Sequence, residues 1–289
     1  MRFSHVAIIG VGLLGGSIGL ALKAAGSTAT IIGYSRRRET LEKALQYGVL
    51  DRWAMDIQEA VADADLVILC TPVGLFGDLL EQMRPALTSG TVITDVGSTK
   101  RTVVSAATRI LPDTCSFVGS HPMAGSEKRG VEYARADLFR GATCIVTPTA
   151  TSQAPDVRAV EQMWEMIQMN VVRLSPEEHD AAVSDISHLP HVLAAALVSM
   201  QSRSAMPLAG KGFLDTTRIA SGDTAMWRDI LVDNRDNVKA SLDRLQRELS
   251  TLRRLLAPSK SEALAQWLAS AAGRRDALVL AKMQEMPGE

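Results

Sequence analysis

Histidine is scarce in this chain, and the position of one histidine suggests acid–base chemistry. Five histidines occur among 289 residues, and His121 follows a segment, 116–119, that reads as a short strand. An imidazole at the carboxyl end of a strand, with an ordinary pKa of about 6.5, can accept a proton at neutral pH. A loop histidine that only bonds to nearby backbone has the same signature, so His121 alone leaves both interpretations open.

His188 and His191 form a second candidate group. They lie three positions apart, so a helix presents them on one face. Pro190 lies between them, where it removes a backbone hydrogen bond and kinks the helix. A kink that holds two imidazoles is typical of a cleft wall, although two core histidines would have the same spacing. Neither His179 nor the distant cysteines supply further ligands at a fitting spacing, so the sequence predicts no metal site.

Two other polar residues are candidates for ligand contact. Arg218 precedes the apolar pair Ile219 and Ala220, and an arginine in such surroundings needs an anionic partner. That partner is either a structural acid or a carboxylate ligand held bidentately, and the sequence does not separate them. Ser98 follows another predicted strand, 91–95, and caps the helix predicted over 98–110, joins the site, or does both.

The amino-terminal segment has the strand–turn–helix pattern of a dinucleotide-binding unit. Gly10, Gly12 and Gly15 give the spacing G-x-G-x-x-G between the first strand and the first helix. Gly10 permits the tight turn, Gly12 lets the backbone approach a pyrophosphate, and Gly15 lets the helix pack on its strand. Free N–H groups at the helix N-terminus, where Leu14 lies, would face the phosphates. A glycine-rich turn without a ligand is the alternative.

The end of the second strand, predicted over 29–34, indicates which dinucleotide binds. NAD enzymes usually place an acid there to hold the ribose hydroxyls, but here Ser35, Arg36 and Arg37 follow the strand. A serine and arginines can bind a 2′-phosphate through charge-assisted hydrogen bonds, whereas a carboxylate would repel it. The sequence therefore favours NADP over NAD, unless the arginines only form the solvated start of a helix.

The order of elements predicts an α/β fold of two domains. Strands and helices alternate up to residue 174, which indicates a Rossmann-like, doubly wound and mostly parallel sheet over 1–174. From Ser175 onward we find only helical patterns, which predicts an all-α domain over 175–289. One of its helices, 234–256, carries apolar residues at heptad spacing from Val238 to Leu256, which indicates a core helix, a subunit interface, or both at once. The further predicted strands are 66–71, 116–119, 144–147 and 171–174.

Composition excludes several classes of protein. The chain is 46% apolar and 22% charged, with 31 basic and 32 acidic residues, which is globular and lacks the basic surplus of nucleic-acid and membrane-surface proteins. The apolar stretch 6–22 is short for a membrane span and is rich in glycine. Three widely spaced cysteines are expected to be reduced and buried, as in a cytoplasmic protein.

Together these features resemble the prephenate/arogenate dehydrogenase family of tyrosine biosynthesis over essentially the whole chain. The specific motifs are GSHPMAGSEKRG at 119–130 and SHLPH at 187–191. The others are GVGLLGGSIGLAL at 10–22, CTPV at 70–73, DVGSTK at 95–100, GFLDTTRIA at 212–220 and MWRDI at 226–230.

The resemblance implies a Rossmann domain, a helical dimerisation domain and a cleft between them. It implies oxidative decarboxylation of prephenate, arogenate or both, with hydride transfer to NADP or NAD, giving 4-hydroxyphenylpyruvate or tyrosine. His121 would be the catalytic histidine on the ring hydroxyl, with Ser98 assisting. His188 and His191 would line the substrate site, and Arg218 would bind a substrate carboxylate. The remaining implied positions are Ser126 and Glu127 at the mouth of the site, and Thr71 and Pro72 at the cofactor.

The sequence departs from the family pattern in two places. The common acid after the second strand is missing, and the stretch 221–224 lacks the proline often found after Asp223. Three alternatives remain. A β-hydroxyacid dehydrogenase would rely on a catalytic lysine instead of His121, an aminodeoxyprephenate dehydrogenase would share the same machinery, and a dinucleotide-sensing protein would need no such set of site residues.

Overall fold

Short apolar segments form a six-stranded parallel sheet in the amino-terminal part of the chain. The computed structural model describes residues 2–126 and 128–285 and orders these strands β3-β2-β1-β4-β5-β6. Because this is the Rossmann order, a dinucleotide is expected where the order reverses, beside the ends of β1 and β4. The strands are β1 His5–Ile9, β2 Thr30–Tyr34, β3 Arg52–Ala54, β4 Leu66–Leu69, β5 Val92–Asp95 and β6 Ser116–Phe117.

Helices cover both faces of this sheet. Alternate residues of one strand belong to different cores: Ile8 of β1 packs in one apolar cluster and Ile9 in the other. A strand that is buried on both faces reads as a continuous apolar run, as β4 does. The predicted fold class is therefore confirmed. The helices are α1 Leu13–Ala24, α2 Arg38–Gln46, α3 Ile57–Val61, α4 Phe76–Met83 and α5 Arg101–Ile110.

The later strands form a second sheet instead of extending the first. β7 Gly119–Pro122 pairs antiparallel with β8 Thr143–Thr147, which pairs parallel with β9 Asn170–Arg173. The expectation of one continuous sheet was wrong at this point, because the predicted strand 116–119 divides at Val118 between the two sheets. The helix α6 Ala154–Met166 connects β8 to β9. β3, α3 and α6 were not predicted from the sequence.

After the second sheet, the chain is helical. A capping box between Ser175 and Glu178 starts α7 Pro176–Val183, as its sequence pattern indicates. A π-helical turn, Ser184–His188, follows and leads into α8 Leu189–Ser199. The helix irregularity expected at Pro190 is therefore this π-helical turn just before it, because proline has no N–H for the regular helical hydrogen bond. The remaining helices of this region are α9 Lys211–Thr217 and α10 Thr224–Asp233, separated by a 3₁₀ turn, Arg218–Ser221.

The chain divides into two units, Met1–Asn234 and Arg235–Glu289. The second unit consists of α11 Arg235–Leu255 and α12 Ser261–Glu285, which pack on each other. Leu249 and Leu256 of the predicted heptad seam are exposed in the single chain. The first unit includes α7–α10 together with the sheets, whereas the division into 1–174 and 175–289 stays a prediction.

One helical stretch among the described residues, Pro176–Ser199, is long and apolar enough to cross a membrane. Length and composition alone are weak evidence, because the core helix of a soluble protein passes the same test. This stretch carries several of the histidines and the buried Asp180.

Candidate active site

The glycine-rich turn forms a cradle at the N-terminus of α1. Gly10 has a φ of +102°, which disfavours any side chain, and a Cβ on Gly10 would meet Thr71 Cγ2 at 2.7 Å. A Cβ on Gly15 would collide with the carbonyl oxygen of Gly10, so this glycine is required for the helix to pack on its strand. At Gly12, by contrast, no atom of the described residues lies within 4 Å of such a Cβ, apart from those of Gly12 and its chain neighbours. The open space at Gly12 is what a phosphate needs to reach the backbone.

An open cleft of about 1210 Å³ lies over this cradle. Most of the predicted cofactor residues line it together: Gly10, Gly12, Ser35, Arg36, Arg37, Thr71 and Pro72. Gly15 and Leu14 are not among its lining residues, since Gly15 faces its own strand and Leu14 packs against the core. Only a backbone role in the cradle therefore remains open to these two residues.

The arginine run after β2 is divided between two environments. Arg36 and Arg37 are exposed and line the cleft, whereas Arg38 forms an ion pair with Glu42 and covers the ring of Trp53. Glu39 also lines the cleft. The first two arginines are therefore the ones placed to bind an anionic group.

A buried ion pair lies after β5. The carboxylate of Asp95 pairs with the ammonium of Lys100, and both side chains are 0% exposed. Asp95 Oδ1 also accepts a 3.0 Å hydrogen bond from the backbone N–H of Ser120, the residue before His121. This pair therefore ties the segment after β5 to strand β7, where His121 lies.

A chain of hydrogen bonds leads from His121 into α7. His121 Nδ1 lies 2.8 Å from His179 Nε2, and His179 Nδ1 lies 2.8 Å from Asp180 Oδ1. The carboxylate of Asp180 also accepts the backbone N–H groups of Lys100 at 2.8 Å and Arg101 at 3.0 Å. Thus one buried acid connects the candidate base to the N-terminus of α5.

His188 and His191 both lie against the indole ring of Trp227. His191 stacks on Trp227 and His188 meets the same ring edge-on. Asn234 Nδ2 contacts His188 Nδ1 at 3.2 Å and donates to the carbonyl of Asp180 at 2.7 Å. His188 Nε2 and His191 Nδ1 are buried and make no hydrogen bond of acceptable geometry within the described part of the chain. Such nitrogens are the ones a bound ligand can satisfy.

Burial lowers the pKa of each of these imidazoles. The pKa of His121 lies well below 6.5, first because of desolvation and then because of His179, Lys100 and His188. Desolvation likewise lowers the pKa of His188 to about 4 and lowers the pKa values of His179 and His191. Burial opposes ionisation of Asp180, but hydrogen bonds from His179 and the backbone keep its pKa below 3.8. The imidazoles are therefore neutral, and Asp180 is a carboxylate, at neutral pH.

The other predicted site residues lie in more varied places. Ser98 is half-buried beside His188 and does not cap α5, which begins at Arg101 with Lys100 at its N-cap. Arg218 is exposed and begins the 3₁₀ turn that packs against α8. Ser126 is exposed and accepts the N–H of Lys128. Glu127 lies outside the described residues.

Several buried polar residues near His121 and His188 are not among the site residues predicted from the sequence. Asp95, Lys100, His179, Asp180 and Asn234 are all buried polar residues, and aspartate and lysine are almost never fully buried unless they are paired. The one available signal was the His179-Asp180 pair directly after a capping box. Within the described ranges, no group of three or more His, Cys, Asp or Glu side chains could hold a metal ion.

Two family models match this chain almost end to end. The model described as "Prephenate dehydrogenase, nucleotide-binding domain" matches residues 18–173. The model described as "Prephenate dehydrogenase, dimerization domain" matches residues 175–270.

Individual proteins agree with these family matches. Prephenate dehydrogenase from Bacillus subtilis is 40% identical over 98% of this chain and 78% of its own length. The crystal structure of prephenate dehydrogenase from A. aeolicus, in complex with hydroxyphenyl propionate and NAD+, superposes with a TM-score of 0.91 at 33% identity, covering 96% of this chain and 99% of that one. Synechocystis arogenate dehydrogenase superposes with a TM-score of 0.83 at 29% identity, covering 95% and 99%.

Proposed function

This chain belongs to the prephenate dehydrogenase family, and on that premise we propose that it oxidatively decarboxylates prephenate, arogenate or both in tyrosine biosynthesis. The products are 4-hydroxyphenylpyruvate from prephenate and tyrosine from arogenate. The observation that carries the proposal is the placement of His121, which is buried in β7 and bonded through Nδ1 to His179 at 2.8 Å; burial also lowers its pKa, so the imidazole is unprotonated at neutral pH. An unprotonated imidazole is what a general base requires at neutral pH.

The protein's part in the reaction is proton transfer and positioning. His121 accepts the proton of the C4 hydroxyl while the hydride leaves C4, which makes a carbonyl at that carbon. The ring carboxylate then leaves as CO2, and its bonding electrons complete the aromatic ring. The phenolate oxygen takes the proton back from His121. Aromatisation drives the sequence, so the site mainly needs one base and a correctly oriented ring.

The glycine cradle fits a nicotinamide dinucleotide, which when bound supplies the hydride acceptor. The fit rests on the open space at Gly12, the free N-terminus of α1 and the cleft above them. Gly10, Gly12, Leu14 and Gly15 would hold the pyrophosphate through backbone groups and close packing. Thr71 and Pro72, which follow β4 at the reversal of strand order, would contact the cofactor from the other side.

NADP is the preferred dinucleotide in this proposal. Ser35, Arg36 and Arg37 line the cleft at the end of β2, where the ribose of the adenosine half would lie. Two guanidinium groups and a hydroxyl there can bind a 2′-phosphate. Glu39, the second residue of α2, also lines the cleft and places a carboxylate near these arginines. The test of this assignment is therefore the measured preference for NADP or NAD.

The remaining predicted residues are assigned to the substrate. His188 and His191 would contact its side chain through their unpaired nitrogens, and Arg218 would bind a carboxylate. Ser98, beside His188, would assist His121 at the ring hydroxyl. Ser126 and Glu127 are proposed for the mouth of the site.

The proposal extends to assembly and location. The predicted domain over 175–289, which follows a dinucleotide-binding domain over 1–174, would form a homodimer, and the exposed Leu249 of α11 and Leu256 just after it agree with this. A small-molecule biosynthetic enzyme of this composition is expected in the cytoplasm, without nucleic-acid or membrane partners.

Steady-state assays with both substrates and both dinucleotides test the proposal. The purified protein should reduce the dinucleotide, seen as rising absorbance at the reduced nicotinamide band, when prephenate or arogenate is added. His121→Asn should lower kcat by about 10²- to 10⁴-fold while dinucleotide binding is kept. Full turnover by this variant would refute the role of His121, and dinucleotide binding without turnover of either substrate by the wild type would indicate a sensing protein.

A further inference from the structure

A chain of two hydrogen bonds connects Nδ1 of His121 to the buried carboxylate of Asp180. The two links, His121 Nδ1 to His179 Nε2 and His179 Nδ1 to Asp180 Oδ1, are both 2.8 Å long. All three residues are buried, with His179 0% and Asp180 1% exposed. Water is therefore a poor competitor for these bonds, and each ring nitrogen has a defined partner.

The chain of bonds fixes where the protons lie. Asp180 is ionised and can only accept, so the proton between it and His179 lies on Nδ1 of His179. A neutral His179 then has a lone pair on Nε2 and can only accept there. The proton between the two rings must therefore lie on Nδ1 of His121, which leaves the lone pair of His121 on Nε2. Protonation of His179 would reverse this, since both of its nitrogens would then donate.

We propose that His179 and Asp180 are positioning residues that hold His121 in the Nδ1–H tautomer, so that Nε2 of His121 is the base. The inference rests on the proposed function for its kinetic consequence, but the tautomer itself is a property of the protein without substrate. As Nε2 takes up a proton, positive charge develops on the ring. The aligned acceptors His179 and Asp180 stabilise that charge, as the orienting acid does in a hydrolase triad.

Asp180, the last residue in this chain of hydrogen bonds, is itself held in place. The carboxylate of Asp180 accepts two backbone N–H groups at the start of α5, from Lys100 and Arg101, where the helix dipole favours an anion. The charged or titratable groups that face the two rings are Asp95, Lys100, Arg101, Asp180 and His188. The charges of Asp95 and Lys100 offset each other because the two side chains form an ion pair. Asp180 is therefore the acid that determines which ring nitrogens of His179 and His121 carry the protons.

Substitutions at His179 separate positioning from packing. In His179→Phe the ring is kept but the acceptor is lost, and we expect kcat to fall by about 10²-fold while KM stays within about twofold. In His179→Gln an amide oxygen can accept from His121 Nδ1, and we expect kcat to recover to within about tenfold of wild type. The exposed His5 provides a matched control, since His5→Gln should leave kcat unchanged.

A double-mutant comparison shows whether His179 acts through His121. If it does, His121→Asn combined with His179→Phe should be no slower than His121→Asn alone, because residues acting as one unit are not additive. Additive losses, or a His179→Phe variant with wild-type kcat, would overturn the proposal.

Nitrogen-15 NMR of the imidazoles shows which ring nitrogen of His121 carries the proton, and it needs neither substrate nor turnover. In the wild type, His121 should show a protonated Nδ1 and an unprotonated Nε2, and in His179→Phe this preference should be lost. A wild-type His121 protonated on Nε2 overturns the inference even if His179→Phe does not fold. If instead the tautomer is as expected but the wild type turns over neither prephenate nor arogenate, the proposed function fails and the positioning of His121 stands.

Discussion

The indole of Trp227 lies face to face on the imidazole of His191, with ring centroids 3.6 Å apart and planes inclined by 9°. A side chain on Gly222 would collide with the indole nitrogen and would lie 3.2 Å from His191 Cε1. The stack is therefore packed from the side as well, and it fixes the ring plane of one proposed substrate-binding histidine.

Removing the stack should weaken substrate binding more than it slows chemistry. For Trp227→Leu we expect KM for the preferred substrate to rise by about 2- to 10-fold, the equivalent of one aromatic pair at about 0.5–1.5 kcal/mol. Trp227→Phe keeps an aromatic face and should lie near wild type. Steady-state kinetics of the three proteins checks this, and equal KM values for the leucine variant and the wild type would contradict it.

The glycine cradle allows folding and cofactor binding to be separated. Gly12→Ala adds a methyl group to open space, so we expect an unchanged Tm but at least about tenfold weaker dinucleotide binding, because the methyl group blocks close approach. Gly15→Ala drives a methyl group into the carbonyl of Gly10 and should lower Tm as well as affinity.

Gly77 is the matched control for these alanine variants. It lies within α4, and nothing is found within 4 Å of its added Cβ. Gly77→Ala should therefore keep affinity and stabilise the protein by about 0.5–1 kcal/mol. Thermal unfolding and fluorescence titration with the reduced dinucleotide measure both properties. Unaltered binding by Gly12→Ala would place the pyrophosphate elsewhere.

The end of β2 should decide between the two dinucleotides. Ser35→Asp introduces a carboxylate that repels a 2′-phosphate and can hold ribose hydroxyls, so the NADP-to-NAD ratio of kcat/KM should fall by at least about tenfold. Arg38→Gln is the control, because Arg38 is engaged by Glu42 and Trp53, and it should leave the ratio unchanged. A wild type that prefers NAD would refute the assignment of Arg36 and Arg37.

The parallel sheet was predictable because its evidence is local. The clearest strands of the first sheet contain continuous apolar runs, VAII in β1 and LVIL in β4, and each run is followed by a helical pattern. Two of the elements that were missed, β3 and α3, carry weak local signals. β3 has three residues and α3 has five, which is too short for periodicity to show. β7 reads GSHP and becomes a strand only by pairing with β8.

The residues of the candidate site also fall into those that local sequence could indicate and those that it could not. His121, His188 and the glycines could be chosen from residue type and spacing, although the structure places His121 inside β7 and not after the end of a strand as predicted. The contact between His121 and His179 joins positions 58 residues apart, and the bond from Asp180 to Lys100 joins positions 80 apart. No local pattern encodes such pairs, because the packing of α7 on α5 and β8 brings them together.

Buried neutral histidines should make the fold sensitive to acid. His188 is 1% exposed, and its pKa of about 4 lies below the value of about 6.5 in an unfolded chain. Between these two values the unfolded chain binds more protons than the folded one, so the stability is complete above pH 6.5 and is lost as the pH falls toward 4. For His188 alone, the loss between pH 7 and pH 5 is about 2 kcal/mol.

Urea unfolding of the wild type, His188→Asn and His5→Gln at these two pH values measures this loss. We expect the wild type and the exposed control His5→Gln to lose the same free energy of unfolding on acidification. His188→Asn should lose about 2 kcal/mol less than they do, because asparagine does not titrate. His121, His179 and His191 have lowered pKa values too, so some acid sensitivity should persist in this variant. An equal loss in all three proteins would mean that His188 is protonated in the folded state as easily as in the unfolded one.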